Sequence, residues 1–285
     1  MMGDLYTFRY IGNKHQFLDI IKQIILKCQD RTDNFIDVFG GSGVVSLNVQ
    51  KFFSHVVLND IDENVMCVHN AFKNANWSDY RSFCNRTYID ILDLSKKDIY
   101  YKFRDKGNKE FFFQDKNSFD KGFFLYFVSG GCINSFFRIG PNGFNQSSGL
   151  GDLSRRFSLM RWNSFKKAYS KIELRNMDFT EIFNEFSDKP RTWFLDPPYF
   201  STSNTYNSNF SSSQKEKFML SIVEQLKGNV IYTDTYVEED WKFLKEHGFH
   251  IRILRSNMQN VAVGKNGEQT TDRKEVVYYK QRHNI

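Results

Sequence analysis

Hydrophobic and polar positions along the chain follow two regimes. Phe35-Ile-Asp-Val-Phe39 is a short run of strand formers, stopped by Gly40-Gly41-Ser42-Gly43. Beyond it Val45, Leu47, Val49 and Phe52 offer an apolar face. Ser42 stands where a helix cap belongs, so a helix is predicted through Phe53. His55-Val-Val-Leu58 reads as a second strand ending in Asn59-Asp60, and Glu63 to Lys73 as a second helix. Strand, helix, strand, helix at this spacing opens a doubly wound α/β sheet. The alternation stops between Trp77 and Tyr169, a mixture of polar helical stretches, phenylalanine clusters and the Gly/Asn/Ser-rich segment Gly140 to Asp152. It resumes with a strand at Lys171 to Leu174, a helix near Thr180 to Phe186 and a strand at Thr192 to Leu195. Further strands are predicted at Asn229 to Thr233, Phe249 to Leu254 and Glu275 to Tyr279, and helices at Ser213 to Lys227 and Glu238 to His247. The simplest organisation is one α/β domain, residues 1–75 and 171–285, carrying residues 76–170 as an insertion. Ser201 to Ser213 reads as a polar loop.

Composition narrows the class. At 285 residues and 40% hydrophobic, the chain can build a large core, and 30 phenylalanines dominate its aromatics. The apolar cluster Phe17 to Leu26 is broken by Asp19, Lys22 and Gln23, which suits an amphipathic helix and is too short to cross a bilayer. The start MMGDLYTFRYIGNK carries no apolar signal run. Four cysteines lie scattered without a CxxC pair, so reduced thiols in a cytoplasm are expected, without a metal. The net charge of +6 is unevenly spread: Tyr101 to Ser170 holds 12 Lys and Arg against 5 Asp and Glu. A basic insertion between near-neutral ends suits a polyanion partner, and a solvated basic surface remains the plainer alternative.

Two segments carry candidate chemistry. Asp37-Val-Phe39-Gly40-Gly41-Ser42-Gly43 lets a backbone approach a nucleotide-like ligand, and Asp60, at the end of the next strand, is placed for ribose hydroxyls. A dinucleotide fingerprint would want glycine at position 46, which is Ser46, so the loop favours a ligand without a pyrophosphate. A plain tight turn is the competing reading. The second segment, Asp196-Pro197-Pro198-Tyr199, spends two of the chain's four prolines at the end of a predicted strand. They remove two N–H donors, fix two φ angles and push Asp196 toward extended backbone. The result is a rigid array of a carboxylate, a carbonyl and an aromatic ring. Asp196 and the Pro197 carbonyl can accept both N–H bonds of a planar amine while Tyr199 stacks on its face. Such acceptors localise a lone pair that the ring would otherwise delocalise, and ready it for in-line attack on a sulfonium methyl group. A rigid turn after a strand is again the plainer alternative.

RYIGNK (Arg9 to Lys14), DVFGGSG (Asp37 to Gly43), Asn59-Asp60, RNMDF (Arg175 to Phe179) and DPPY (Asp196 to Tyr199) occur in this order. In this the chain resembles the Dam-type DNA adenine-N6 methyltransferases (D12 class, alpha group), which use S-adenosylmethionine. The resemblance runs from about Tyr10 to Tyr279. It implies a Rossmann-like methyltransferase sheet, with residues 76–170 as a mainly helical DNA-recognition subdomain that contains a hairpin. It further implies that Tyr10 and Lys14 contact S-adenosylmethionine, with Phe39 and Gly41 on its methionine side. Asp37 belongs to the same loop, Asp60 holds the ribose and Asp178 meets the adenine moiety. Asp178 also suits a plain helix cap. Asn134-Ser-Phe-Phe-Arg138 and Asn142-Gly-Phe-Asn145 resemble the hairpin region placed in the major groove of double-stranded DNA. Arg138 would read a guanine, alongside Asn134 and Asn145. Arg9 resembles a basic residue near DNA, and Arg155, Arg156, Arg161, Lys166 and Lys167 read as phosphate contacts. Where relatives that read GATC carry Pro-Phe-Gly, this chain has Ser147-Ser148-Gly149-Leu150. Both GATC and a longer site containing GA therefore stay open.

The resemblance implies a cytoplasmic enzyme, of a bacterial cell or a virus-infected host, that flips adenine out of the duplex into the DPPY site. Phe111 to Phe113 and Phe123 to Phe127 are expected to be core rather than fillers of the vacated space. Cytosine C5 chemistry is disfavoured because no proline precedes a cysteine. Adenine methylation of RNA and a non-catalytic DNA-binding protein that kept the fold are the two rival readings.

Overall fold

The computed structural model describes residues 4–5, 7–8, 10, 12–28, 34–87, 95–135, 137–149, 158–198, 212–255 and 274–281. In chain order the main elements are α1 (Leu18–Lys27), β1 (Asn34–Asp37), α2 (Val44–Val49), β2 (His55–Asn59), α3 (Glu63–Asn74), α4 (Trp77–Arg86), α5 (Lys96–Gly107) and α6 (Phe119–Gly131). They continue with β3 (Ile139–Gly140), β4 (Gly143–Phe144), α7 (Leu159–Tyr169), β5 (Ile172–Arg175), α8 (Phe179–Phe186), β6 (Arg191–Leu195), α9 (Ser212–Glu224), β7 (Gly228–Thr235), α10 (Glu238–Glu246), β8 (His250–Arg255) and β9 (Glu275–Lys280). The class is α/β with Rossmann-like strand–helix alternation, and each of the strands and helices predicted from hydrophobic spacing is present within a few residues.

Internal contacts divide the chain into two compact units, residues 1–16 with 40–176, and residues 17–39 with 177–285. In the second unit five strands run in the order β1-β6-β7-β9-β8. β1 pairs in parallel with β6, Asp37 opposite Phe194, and β6 in parallel with β7, Leu195 opposite Tyr232. β9 is antiparallel to both β7 and β8. Trp193, Phe194, Leu195, Ile231 and Tyr232 are buried, as expected of strands covered on both faces. Phe179, Phe183 and Phe218 pack against one another there, with ring centroids 5.5–6.2 Å apart. β8 is the edge. Its exposed His250, Arg252 and Arg255 guard a row of unpaired backbone groups against association.

In the first unit β2 pairs in parallel with β5, Leu58 opposite Leu174. α3 buries Val65, Met66, Val68, Ala71 and Phe72, and α6 is apolar almost all round, burying Phe123, Phe124, Leu125, Phe127 and Val128. A helix hydrophobic on every side belongs inside. Tyr80, Phe83, Phe72 and Trp162 complete this aromatic core, Tyr80 stacking on Trp162 at 5.1 Å. The expectation for the phenylalanine clusters is met at Phe111, Phe112, Phe123, Phe124 and Phe127, whereas Phe113 is 67% exposed.

One local expectation is corrected. Ser42 does not cap α2: the cap position is Gly43, at φ 71°, and no side chain bonds there. The Ser42 hydroxyl is buried without a hydrogen-bond partner among the described residues. The loop needs the left-handed conformation at Gly43, and a Cβ there would stand 2.8 Å from the His69 ring. The loop turns through glycine, so the serine one place earlier faces inward. Of the polar loop predicted over Ser201 to Ser213, residues 201–211 lie outside the described residues, whereas Ser212 and Ser213 open α9.

Candidate active site

In the first unit the glycine loop follows a tight backbone path. Gly40 N–H donates to the Asn59 carbonyl at 2.7 Å, and Gly43 N–H to the Gly40 carbonyl at 2.8 Å. Gly41 N–H donates to Asp60 Oδ2 at 2.9 Å, while Asp62 N–H donates to Asp60 Oδ1 at 2.9 Å. Asn176 supports the same turn by donating to the Asp60 carbonyl at 2.8 Å. Desolvation raises the Asp60 carboxyl to about 6, against a pull downward from those backbone donors and an upward push from Asp62. It stays ionised at neutral pH, an acceptor held by two amides with lone pairs to spare. Tyr10 lies beside this loop: a Cβ on Gly41 would be 3.2 Å from its ring. The ring also meets Phe8 and Phe137 edge-on, each at 5.7 Å. Lys14 is 2% exposed and donates to the Gly12 carbonyl at 2.8 Å. A buried ammonium of this kind suits an anionic group.

In the second unit the carboxyl ends of β1 and β6 lie side by side. Val38 N–H donates to the Phe194 carbonyl at 3.1 Å, which carries the β1–β6 ladder past the last strand residue. Asp37 there is 1% exposed. Phe39 packs against Phe179 and Phe218 at 6.1 and 5.9 Å. Asp178 caps α8, its Oδ1 accepting from Thr180 N–H at 3.0 Å and Thr180 Oγ1 at 2.6 Å. Glu181 closes the capping box by accepting from Asp178 N–H at 2.9 Å. Asp196 follows β6 directly, and its Oδ1 accepts from Thr233 Oγ1 at 2.7 Å. Thr233, 0% exposed on β7, has no solvent to compete for that bond. Its neighbour Asp234 is buried, accepts from Tyr232 Oη and from Thr235 N–H, and is raised to about 6 by desolvation.

The hairpin of the first unit is β3 with β4, Ile139 opposite Phe144. Asn108 clamps it as a neighbouring strand would: Nδ2 donates to the Phe144 carbonyl and Oδ1 accepts from Phe144 N–H, both at 2.9 Å. Gly143, at φ 101°, makes room, since a Cβ there would meet Asn108 Oδ1 at 2.6 Å. Before the hairpin, Asn134 and Ser135 stand at φ 55° and 52°, the two non-glycine residues with positive φ among those described. Asn134, Arg138 and Asn145 are exposed, and the Arg138 carbonyl is fixed by Asn145 N–H at 2.9 Å. Of the strained pair, Asn134 faces solvent while Ser135 is buried.

The sequence matches the model of the D12 class N6 adenine-specific DNA methyltransferases over residues 10–253. The chain belongs to that family. This methyltransferase is 27% identical over 221 residues to the type II methyltransferase M.MjaIII of Methanocaldococcus jannaschii, covering 74% of this chain and 73% of that one. It is 25% identical to the type II methyltransferase M.FokI of Planomicrobium okeanokoites and 27% to the modification methylase StsI of Streptococcus sanguinis. Those matches cover 78% and 70% of this chain but only 34% and 29% of the two relatives. Among solved structures it is similar to a SAM-dependent methyltransferase from Agrobacterium tumefaciens, with TM-score 0.43, 10% identity and 95% and 64% of the two chains covered. It is also similar to the rRNA methyltransferase aviRa from Streptomyces viridochromogenes, with TM-score 0.39, 9% identity and 94% and 84% covered.

Of the residues singled out from sequence, this methyltransferase brings together Tyr10, Gly41 and Asp60 in its first unit. In its second unit it places Asp37, Phe39, Asp178 and Asp196 at the ends of neighbouring elements. Arg9, Arg155, Arg156 and Tyr199 lie outside the described residues. Lys166 is engaged elsewhere, donating to the last carbonyls of α3 at Lys73 and Ala75. Three groups were missed. Thr233, Asn176 and His69 each bond another of the candidate residues; Asn176 lies within the RNMDF segment but was not singled out there, and nothing in the local sequence spacing marks Thr233 or His69. Among the described residues no group of His, Cys, Asp and Glu forms a metal site, and no helix is long and apolar enough to cross a membrane.

Proposed function

We propose that this methyltransferase methylates the exocyclic amine of an adenine flipped out of double-stranded DNA, at a site containing a GA step, with S-adenosylmethionine as donor. The observation that carries the reading is the carboxylate of Asp196 at the end of β6, one oxygen pinned by the buried Thr233 hydroxyl. A carboxylate so fixed accepts an amine N–H in one direction only. The Pro197 carbonyl accepts the second N–H, and Tyr199 stacks on the base. Together they draw the nitrogen lone pair out of the ring. S-adenosylmethionine supplies an electrophilic methyl on a sulfonium, whose departing electron pair stays on sulfur as the new N–C bond forms. The methylated nitrogen then sheds a proton.

The residues present fit that donor. Asp60, ionised above pH 6, has capacity to accept from ribose hydroxyls. Lys14 is a buried cation suited to a carboxylate, and Tyr10, Asp37, Phe39, Gly41 and Asp178 are assigned to its methionine and adenine ends. Residues 76–170 form the recognition subdomain, with Asn134, Arg138 and Asn145 at the bases and Arg9, Arg155 and Arg156 at phosphates. The activity places the protein where DNA is, in a cytoplasm.

Side-by-side transfer of a tritiated methyl group to duplex DNA, single-stranded DNA and RNA tests this reading. Label is expected in the duplex; label confined to RNA rejects it. Arg138→Ala is expected to cost about 1–3 kcal/mol of discrimination at one base position. Competition between cognate and single-mismatch duplexes measures it, and equal loss on all sequences would make Arg138 a phosphate contact. Thr233→Val is expected to lower kcat about tenfold to a hundredfold through misaligned attack, with both KM values kept. Thr233→Ser should restore most of the rate, and full activity in the valine variant would free Asp196 from this support.

A further inference from the structure

Gly41 is held through both peptides that flank it. Its N–H donates to Asp60 Oδ2 at 2.9 Å, and its carbonyl lies 2.7 Å from His69 Nε2. His69, on α3, is 0% exposed. Its other ring nitrogen, Nδ1, is 2.6 Å from Tyr169 Oη, which is 2.7 Å from Thr7 Oγ1. The direction of every proton in this line follows from its end. A carbonyl only accepts, so Nε2 carries the hydrogen. Burial pulls His69 down to about 4, so the ring is neutral and Nδ1 is a bare acceptor. Tyr169 must then donate to Nδ1, which leaves its oxygen to accept from Thr7. The Thr7 N–H donates to the Ser42 carbonyl at 3.2 Å, returning the line to the same glycine loop.

Three segments distant in sequence thus converge on one loop through a single ordered line of hydrogen bonds. Filling space alone would favour an apolar side chain, because a buried imidazole is costly unless both nitrogens are matched. Here both are matched, and the one that faces the loop meets its most exacting position. Gly41 stands at φ 49°, where a Cβ would lie 3.2 Å from the Tyr10 ring, and its N–H donates to Asp60.

We propose that His69 is a positioning residue for donor binding: its Nε2–H holds the carbonyl of the Gly41–Ser42 peptide and so, with Asp60 on the Gly40–Gly41 amide, fixes the Gly41 backbone that meets the donor. The proposal rests on the assignment of those two residues to S-adenosylmethionine. Loss of the Nε2–H frees the Gly41–Ser42 peptide, so the Gly41 dihedrals are held from the Asp60 side alone and the loop is less well ordered for the donor. The effect falls on donor affinity rather than on turnover at saturation.

Two near-isosteric variants separate this role from plain packing. In His69→Gln an amide nitrogen reaches the position of Nε2; in His69→Asn it reaches only that of Nδ1. Calorimetry with S-adenosylmethionine should give a Kd within about threefold of wild type for His69→Gln and at least about tenfold weaker for His69→Asn, the size of one lost hydrogen bond. At saturating donor both should keep the wild-type kcat on DNA. Equal Kd in the two variants overturns the proposal, whether both stay tight or both weaken in step with melting temperature. Should either variant not fold, a long-range 1H–15N spectrum of the wild-type protein decides. A neutral ring protonated at Nε2 at pH 7 is expected, and the Nδ1–H tautomer or a charged ring overturns it. Wild-type protein that binds no S-adenosylmethionine would instead sink the donor assignment itself.

Discussion

Replacing Asp196 by alanine is expected to reduce methyl transfer by on the order of 1,000-fold or more, with S-adenosylmethionine binding left at its wild-type Kd. The size follows from the role proposed for the carboxylate. An adenine amine shares its lone pair with the ring, and attack requires that lone pair to be localised along the line to the methyl carbon. Two fixed acceptors do this together, and either one alone leaves the amine close to planar. Truncation to alanine would remove the stronger acceptor and strand the Thr233 hydroxyl, whose further partner among the described residues is the Leu195 carbonyl at 3.4 Å. Asp196→Asn keeps the shape but brings a donor toward the amine, so it should be no better than alanine. Single-turnover transfer with preformed ternary complex separates this chemical effect from binding. Retained turnover in the alanine variant would reject Asp196 as the key acceptor.

Loss of the Asp60 carboxylate is the second large effect, and it acts on binding. Asp60→Ala should weaken S-adenosylmethionine by about 100-fold, because hydrogen bonds to a charged acceptor contribute about 1.5–3 kcal/mol each. The wild-type enzyme carries the same information in its pH dependence. The carboxyl is raised from 3.8 to about 6, mainly by desolvation. Ribose hydroxyls need the ionised form, so donor affinity should be level above pH 7 and fall by up to tenfold per pH unit below about 6. Stability runs the other way. The folded state binds this proton more tightly than the unfolded chain, so this group alone favours folding more as pH drops from above 6 toward 3.8. A donor titration at pH 5, 6, 7 and 8, beside thermal melts without donor, checks both signs. A donor Kd flat across that range would show that Asp60 does not hold the ribose.

Much of this architecture was legible in the amino-acid order because it rests on local signals. Strands β1, β2, β6 and β7 are short apolar runs closed by turn residues, and α8 begins at an aspartate with glutamate three places on. Ser42 failed as a cap for an equally local reason, since the left-handed residue that precedes α2 is Gly43. The hairpin β3–β4 could be placed, but not the Asn108 clamp that holds it from 36 residues away. Supporting residues are the common omission. Thr233 meets Asp196 across 37 positions and His69 meets Tyr169 across 100, and only folding brings such pairs together. Asp178 shows the reverse case, where the helix-cap alternative is realised in the structure while its assignment to the donor's adenine rests on resemblance.

In the proposed reaction a carboxylate and a proline carbonyl prepare an adenine amine in duplex DNA for methylation. The most direct measurement is to incubate duplex DNA of mixed sequence with the enzyme and isotopically labelled S-adenosylmethionine. The product is then digested to nucleosides, and the labelled one is identified by mass spectrometry. N6-methyladenine is expected as the labelled nucleoside, present with wild-type enzyme and absent with Asp196→Ala. Label on N4 of cytosine, or N6-methyladenine formed undiminished by Asp196→Ala, would contradict it.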